Sequence, residues 1–459
     1  MNTKSLLKIL FMFVIPASTY NFCLYMELPD NFAMYGAITL WAIYCWISST
    51  LNTTMVAIAL PVLYIVLDVA DTKTVFSPWA GPVPWLCLGG LLIGQMLLKC
   101  GLATRISYKC MLLSGDTFIH IMLGLVFAGI LIAPLIPTVL GKSAVFFILG
   151  AGICKVLELP PDSNKSAAIF MTCLFAVTGP SYGFLTSCAQ VPAAIQLMQG
   201  ASSIEVTWFE YAFHNIVPSL IYTALSICAI LIVLRPGNIS GIRLAIQDKY
   251  NELGPLSSEE KKALVILIVT LILLFSESIH KVHAAWCMIL MATITFLPGV
   301  NLLENNDIEK ISFSLLYFLA GAMSIGAAAA QIGVAEQIAL FVAQFLEPGQ
   351  AVMHIAASFF LGITSVLFLS PTTSVGALSV PLTKIALQIG TDPRVLVYAF
   401  FYGIDMYFMP YQYALLLLLL SFKGIRSKHM CMVLFTKAIL SILVLLPAMI
   451  FYWHFIGLW

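Results

Sequence analysis

The sequence predicts an all-α polytopic membrane protein with about 11 transmembrane helices, built as two inverted repeats with two re-entrant hairpins. Three observations carry that expectation. Of 459 residues, 61% are hydrophobic and only 9% are charged, where a soluble chain has about a quarter charged, so charge is too scarce to coat a globule. The apolar residues form continuous blocks rather than alternating, which excludes a β-barrel. One glycine-rich segment recurs about half a chain later, as it does in duplicated architectures.

Taken in order, apolar blocks lie at roughly 6–20, 33–49, 54–69, 85–98, 118–136, 143–157, 167–178, 182–198, 211–234, 263–275, 284–297 and 313–330, with several more up to the end. Lys4 and Lys8 precede the first block and no small-residue cleavage site follows it, so a retained first helix is expected. Many blocks are shorter than the roughly 20 residues a crossing needs. Short blocks ended by Pro, Gly or polar residues suggest half-helices and hairpins, which survive in a bilayer only where protein or a wet cavity shields the open backbone.

The segment 235–262 holds Arg235, Arg243, Lys249, Lys261 and Lys262 and is expected on the cytoplasmic side, because basic residues near helix ends set orientation. The same rule places Lys4, Lys8, Lys99, Arg105, Lys109, Lys423, Arg426 and Lys428 inside. One helix remains after Lys428, which puts the N-terminus inside and the C-terminus outside and requires an odd number of crossings. The expected organisation is an N-terminal repeat over 1–234 with its hairpin near 134–143, a cytoplasmic linker over 235–262, and a C-terminal repeat over 263–459 with its hairpin near 370–376.

The repeat rests on glycines. LCLGGLLIGQMLLKCGLATRI at 86–106 and FLAGAMSIGAAAAQIGVAEQI at 318–338 share Gly89/Gly321, Ile93/Ile325, Gly94/Gly326, Gly101/Gly333, Ala103/Ala335 and Ile106/Ile338, all 232 residues apart. A little further on, Pro137-Thr138 and Pro371-Thr372 lie 234 residues apart, each ending an apolar run. An odd number of crossings between the copies would invert one against the other, an arrangement typical of transporters whose site lies at the midplane.

Broken helices at such a midplane present amide groups and freed hydroxyls to an anion. In the first hairpin, 133–143, Pro134 and Pro137 stop one half-helix, and Thr138, Lys142 and Ser143 are the candidate substrate ligands. In the second, 370–376, Thr372, Thr373 and Ser374 are their counterparts. The plainer alternative is two Pro/Ser/Thr-rich loops outside the bilayer. Each copy has a further break downstream, at 178–190 and 408–413; Thr186 is a candidate substrate ligand there, while Ser187, Gln190, Pro410 and Gln412 could serve a coupling cation. Ordinary proline kinks are the alternative. Lys142 is the sharpest single residue, since an intramembrane lysine must face a cavity or a partner. That partner is either an anionic substrate or an internal acid such as Asp405, itself isolated in an apolar stretch and able to take a proton or cation or to neutralise Lys142 or Lys384.

Other functions are disfavoured. A net charge of +1 gives no field for nucleic acid. The 11 cysteines are scattered in apolar stretches rather than at framework spacings. His280 and His283 have no nearby ligands for a metal. No Walker A, GxSxG or HExxH pattern occurs, against an ATP-driven pump; a membrane-embedded enzyme and a carrier-like sensor are the remaining alternatives.

The glycine-rich 89–103 segment, both hairpins, the Met409-Pro410-Tyr411-Gln412 turn and the closing Tyr452-Trp453-His454-Phe455-Ile456-Gly457 resemble the divalent anion:sodium symporter family, over nearly the whole chain. Ala133 to Lys142 followed by Phe184-Leu185-Thr186-Ser187 is most similar to its citrate and 2-oxoglutarate/malate exchanger branch. The resemblance implies a scaffold domain and a mobile transport domain, a homodimer in the lipid bilayer of the cytoplasmic membrane, an elevator cycle, a di- or tricarboxylate or similar anion as substrate, no cofactor, and Na+ as coupling ion. In the family both hairpin tips carry Ser-Asn-Thr. Here they read Thr138-Val139-Leu140 and either Ser370-Pro371-Thr372 or Pro371-Thr372-Thr373, and both asparagines are gone. Lys142 falls where the exchanger branch has an arginine, so a fixed cation could replace mobile sodium, which suits anion exchange or coupling to H+.

Overall fold

The computed structural model describes residues 3–48, 50–161, 163–237 and 242–459, and among these the chain is all helical. Seven helical stretches are long and apolar enough to cross a membrane, including Leu6–Tyr25, Phe118–Leu135, Trp208–Leu234 and Phe313–Ile332. Five shorter apolar helices accompany them: Thr53–Val66, Ala284–Ile294, Val334–Ala343, Ala351–Ser365 and Pro393–Ile404. Large apolar side chains such as Leu6, Phe13, Phe127, Phe213, Phe360 and Phe451 lie exposed on the outside, which a soluble protein avoids and a lipid-facing surface requires.

The expected blocks fold as helices with few changes. The exception is 182–198: a 3-10 turn at Gly179–Tyr182 and an irregular stretch delay the helix to Gln190–Ser202. Helix starts follow local chemistry. Thr207 with Glu210, and Ser257 with Glu260, form capping boxes that open Trp208–Leu234 and Ser258–Phe275, satisfying amides that would otherwise be orphaned.

The two halves run through the same series of helices. Pro82–Lys99 is followed by Leu102–Ser114, Phe118–Ile132 and Val139–Val156; Phe313–Ile332 is followed by Val334–Ala343, Ala351–Ser365 and Pro371–Gln388. The last member of each series has 18 residues. A glycine in the left-handed region makes the first joint of each, Gly101 at φ 75° and Gly333 at φ 80°, a conformation that only glycine adopts without strain.

Packing is reciprocal between the halves. Pro82–Lys99 packs on Ala284–Ile294, and Phe313–Ile332 packs on Thr53–Val66. A Cβ at Gly89 would sit 2.8 Å from the Met288 and Ile289 backbone, and one at Gly321 would collide with the Ala57 carbonyl. Gly89 and Gly321, one matched pair of the repeat, are therefore points where each half's helix meets a helix of the other.

Between the halves, Arg105 reaches Glu260 at 2.6 Å and donates to the carbonyls of Gly254 at 2.9 Å and Leu253 at 3.0 Å. That fastens the segment after helix Ile242–Glu252 to helix Leu102–Ser114. Asp307 ties the end of Pro82–Lys99 to helix Asn305–Glu309, bonded at 2.8 Å to Lys99 and at 2.9 Å to Lys310.

Candidate functional site

A cavity of about 640 Å³ opens between the halves. Both hairpin tips and both downstream breaks line it: residues 136–141 and 370–372 from the tips, Ala189 and Gln190 from the first break, and Tyr411, Gln412 and Tyr413 from the second. Thr53, Gln95 and Ser312 complete a wall that mixes apolar surface with a few polar groups, the usual character of a small-molecule site.

The first tip is built by its prolines. Pro134 lies in a 3-10 turn, Ala133–Leu135, after which Ile136 and Thr138 are extended, and helix Val139–Val156 begins. Pro137 cannot donate a backbone hydrogen bond, so the helix cannot continue through it. The Thr138 side chain makes no capping bond and lines the cavity. At the second tip Ser370 caps helix Pro371–Gln388, its Oγ accepting from the Thr373 amide at 3.2 Å and lying 2.8 Å from Thr373 Oγ1. Thr372 lines the cavity and accepts from Gln190 Nε2 at 3.3 Å, a bond that joins the first break to the second tip. Both helices begin at the cavity wall, where their free amides attract negative charge.

Lys142 and Ser143 lie behind the first tip. Lys142 is 2% exposed and its Nζ donates to Ser187 O at 2.7 Å, Ser187 Oγ at 3.0 Å and Ser181 Oγ at 3.2 Å. Its ammonium thus rests in a nest of neutral oxygens supplied by the first break. Ser143 Oγ is buried and has no hydrogen-bond partner, as is the case for Ser374 Oγ in the second hairpin helix. Thr373 is buried beside it.

The remaining candidates separate into two groups. Gln190 and Gln412 line the cavity with Pro410's turn beneath them: Gln412 Oε1 accepts from the Phe408 and Met409 amides at 2.6 and 2.7 Å, and its Nε2 donates to Val366 O at 3.3 Å. Thr186 does not line the cavity. It donates to Pro134 O at 2.6 Å and accepts from Trp208 Nε1 at 3.1 Å, tying the first break to the first tip.

Asp405 pairs with neither Lys142 nor Lys384. Its Oδ2 accepts from Tyr222 OH at 2.5 Å and lies 3.6 Å from Lys437 Nζ, whereas Lys384 pairs with Glu336 at 2.8 Å. Lys437 and Tyr222 are the site-region residues that the sequence reading missed. The signal was available, because Lys437 is a cation within the apolar second half of its helix, the same argument that singled out Lys142. Among the described residues no group of three potential ligands could hold a metal.

Residues 3–459 match the family model described as the sodium:sulfate symporter transmembrane region. The chain belongs to this family. The resemblance drawn from the hairpins and glycines agrees with that match, and the family is one of transporters rather than enzymes. The chain is 24% identical over 341 residues to "Dicarboxylate transporter 1, chloroplastic" of Arabidopsis thaliana, covering 71% of this chain and 60% of that one. It is 26% identical over 262 residues to the protein of the same description from Spinacia oleracea, covering 54% and 45%. The "Putative malate transporter YflS" of Bacillus subtilis is 24% identical over 263 residues, covering 55% and 54%. The chain therefore spans about half the length of the curated relatives it matches. The Alcanivorax borkumensis YdaH transporter shares the fold, with a TM-score of 0.53 and 14% identity over 84% of this chain and 88% of that one.

Proposed function

We propose that this sodium:sulfate symporter-family chain is a secondary active transporter of small anions, of the di- or tricarboxylate or sulfate class, working by an elevator-type alternating-access cycle. The observation that carries the reading is the single cavity on which both hairpin tips and both breaks converge. The matching helix series and the reciprocal glycine contacts support two inverted copies related by an axis in the membrane plane. Over 1–234 and 263–459 they are joined by a cytoplasmic linker, in a homodimer with the N-terminus inside and the C-terminus outside.

In this reading Thr138 and Thr372 hold the anion with the amides of the two helix starts. Lys142 contributes fixed positive charge from behind the first tip, and Ser143, Thr186 and Ser187 keep that tip and its lysine in place. Sodium couples at the second tip, where Ser374 Oγ is unpartnered, Thr373 lies beside it, and the 408–412 break offers backbone carbonyls. Gln190 and Gln412 keep the two breaks against the tips. A second reading, anion exchange or proton coupling without sodium, is favoured by one observation: the Lys142 ammonium already occupies the oxygen nest of the first break.

Uptake of labelled succinate, citrate and sulfate into proteoliposomes, with sodium, proton and counter-substrate gradients imposed in turn, tests both. Uptake that follows an inward sodium gradient supports the first reading. Uptake that requires internal anion and ignores sodium supports the second. Transport of none of the three anions, or of a neutral or cationic solute instead, overturns the function.

A further inference from the structure

We propose that Asp405 is a proton-binding site buried beside the transport cavity, with Lys437 as its neighbouring cation and Tyr413 as the partition between the site and the cavity. The proposal rests on the transport function above and adds a second coupled ion to it.

The cluster lies where the helix Pro393–Ile404 ends and the second break begins. Asp405 is 2% exposed and Lys437 1%, yet the two do not close a hydrogen-bonded ion pair. Lys437 Nζ donates instead to Tyr222 OH at 2.5 Å and to the Asp405 backbone carbonyl at 2.9 Å. Its ammonium also lies 5.4 Å from the centroid of the Phe175 ring and 4.8 Å from that of Tyr222, contacts that stabilise a desolvated cation. Lysine 437 therefore has partners of its own. Protonating the carboxylate does not strand it, which is the usual penalty when one member of a buried pair is neutralised.

A proton also has a short way in. A small space is lined by Asp405, Lys437, Tyr407, Tyr413 and Thr178, and Tyr413 also lines the large cavity. Tyr413 stacks on Tyr407 with ring centroids 4.9 Å apart, and Tyr407 lines the same small space as Asp405. Tyr413 is thus the residue that both spaces share. The groups facing Asp405 are Tyr222 from Trp208–Leu234, Lys437 from Ser427–Leu440, Tyr407 and Tyr413 from the break, and Tyr182 and Cys188 from the first break; Asn164–Thr178 contributes the uncharged Phe175 and Thr178. In the proposed step a proton passes from cavity water to a carboxylate oxygen of Asp405, the Tyr222 hydrogen bond to that carboxylate weakens, and the local charge rises by one while an anion is bound. Intramembrane acids facing a bundle interior commonly serve such relays.

The test uses the full-length protein in proteoliposomes loaded with a pH-sensitive dye, at fixed sodium and with malate or sulfate fully ionised. Wild type is expected to acidify the lumen in step with anion uptake. Asp405→Asn is expected to abolish that acidification while counterflow of labelled anion continues. Should Asp405→Asn fail to fold, Tyr222→Phe removes the hydroxyl that favours the charged carboxylate and leaves both Asp405 and Lys437 in place, with Lys437 still donating to the Asp405 carbonyl. Its uptake is expected to reach half-maximum at a more alkaline pH than wild type by about one unit, a shift that a purely structural defect would not give. Anion uptake with no lumen acidification in wild type, unchanged acidification in Asp405→Asn, or an unshifted pH profile in Tyr222→Phe each overturns the proposal. Absence of labelled-anion counterflow in wild type would instead overturn the transport function itself, so the two failures are distinguishable.

Discussion

Replacing Lys142 by alanine removes the fixed charge behind the first hairpin tip. Gly141, the preceding residue, lines the cavity, so a bound anion lies within about two helical turns of the ammonium, roughly 10 Å away. Coulomb's law at that distance and an effective dielectric of about 20 gives about 1.7 kcal/mol per charge, and about 3 kcal/mol for a dianion. Water in the cavity screens part of this, so the expected loss is a factor of about 10 to 100 in KM for a dianion, with a smaller change for a monoanion. The control is Lys384→Ala. Lys384 makes one partly exposed pair with Glu336, worth at most about 1 kcal/mol of stability, and its removal should leave KM within about twofold. Initial uptake rates at varied succinate in proteoliposomes, with thermal melting in detergent to confirm folding, measure both. Equal effects of the two substitutions, or the same loss for mono- and dianions, would refute Lys142 as the countercharge.

Three further outcomes follow from the same geometry. Ser374→Ala should raise the sodium concentration for half-maximal uptake about tenfold, the effect of one lost ligand hydroxyl at about 1.4 kcal/mol; uptake against sodium concentration checks it, and an unchanged curve counts against a cation at the second tip. Gly321→Val, whose side chain would meet the Ala57 carbonyl, should destabilise the fold by about 3 kcal/mol or more and lower the melting temperature in detergent, while the same change at the open Gly152 should cost far less. Burial pushes the Asp307 carboxyl up, but hydrogen bonds from Lys99, Lys310 and the Glu304 amide outweigh it and hold the group below the usual carboxylate range. Its folded value is the depressed one, so its stabilisation is present above the unfolded value of about 3.9 and is lost as pH falls through the folded value. Asp307→Asn should then destabilise by about 2 kcal/mol at neutral pH, and the difference from wild type should shrink in strong acid; a pH-independent difference in melting temperature would argue against the charge.

Much of this architecture was legible because a bilayer constrains sequence so strongly. The apolar blocks became helices near their expected limits, and the prolines at 134, 137 and 371 mark the tips because a residue without an amide cannot continue a helix. The 182–198 block misled because its apolar residues outweigh Thr186, Ser187, Gln190 and Gln196, and hydropathy cannot tell a helix from an irregular segment buried in protein. Side-chain partners were less legible. Thr186 looked like a ligand by type and place, but its hydroxyl is consumed by Pro134 and Trp208, a three-way contact spanning residues far apart in the chain. Asp405 was noticed as an isolated acid, whereas Lys437 sits just beyond a basic run that had already been assigned to orientation. A pair is visible only when both members are judged by the same rule.

The glycines show why the repeat is readable where other signals fade. Gly89 and Gly321 cannot accept a side chain because each faces a backbone of the opposite half, so both copies keep glycine here while several of their apolar neighbours differ. That register also aligns Lys142 with Ser374: the two hairpin helices have equal length, and each of these residues is the fourth in its helix. One copy places an ammonium among oxygens, and the other leaves a buried hydroxyl without a partner. The two copies thus differ at the fourth residue of the hairpin helix, just behind each tip. A lysine at one position removes the need for a mobile cation there and leaves the need, if any, at the other. If the proposed sodium coupling holds, the number of sodium ions moved per anion should be smaller than in a carrier with hydroxyls at both positions, because the lysine would supply part of the countercharge.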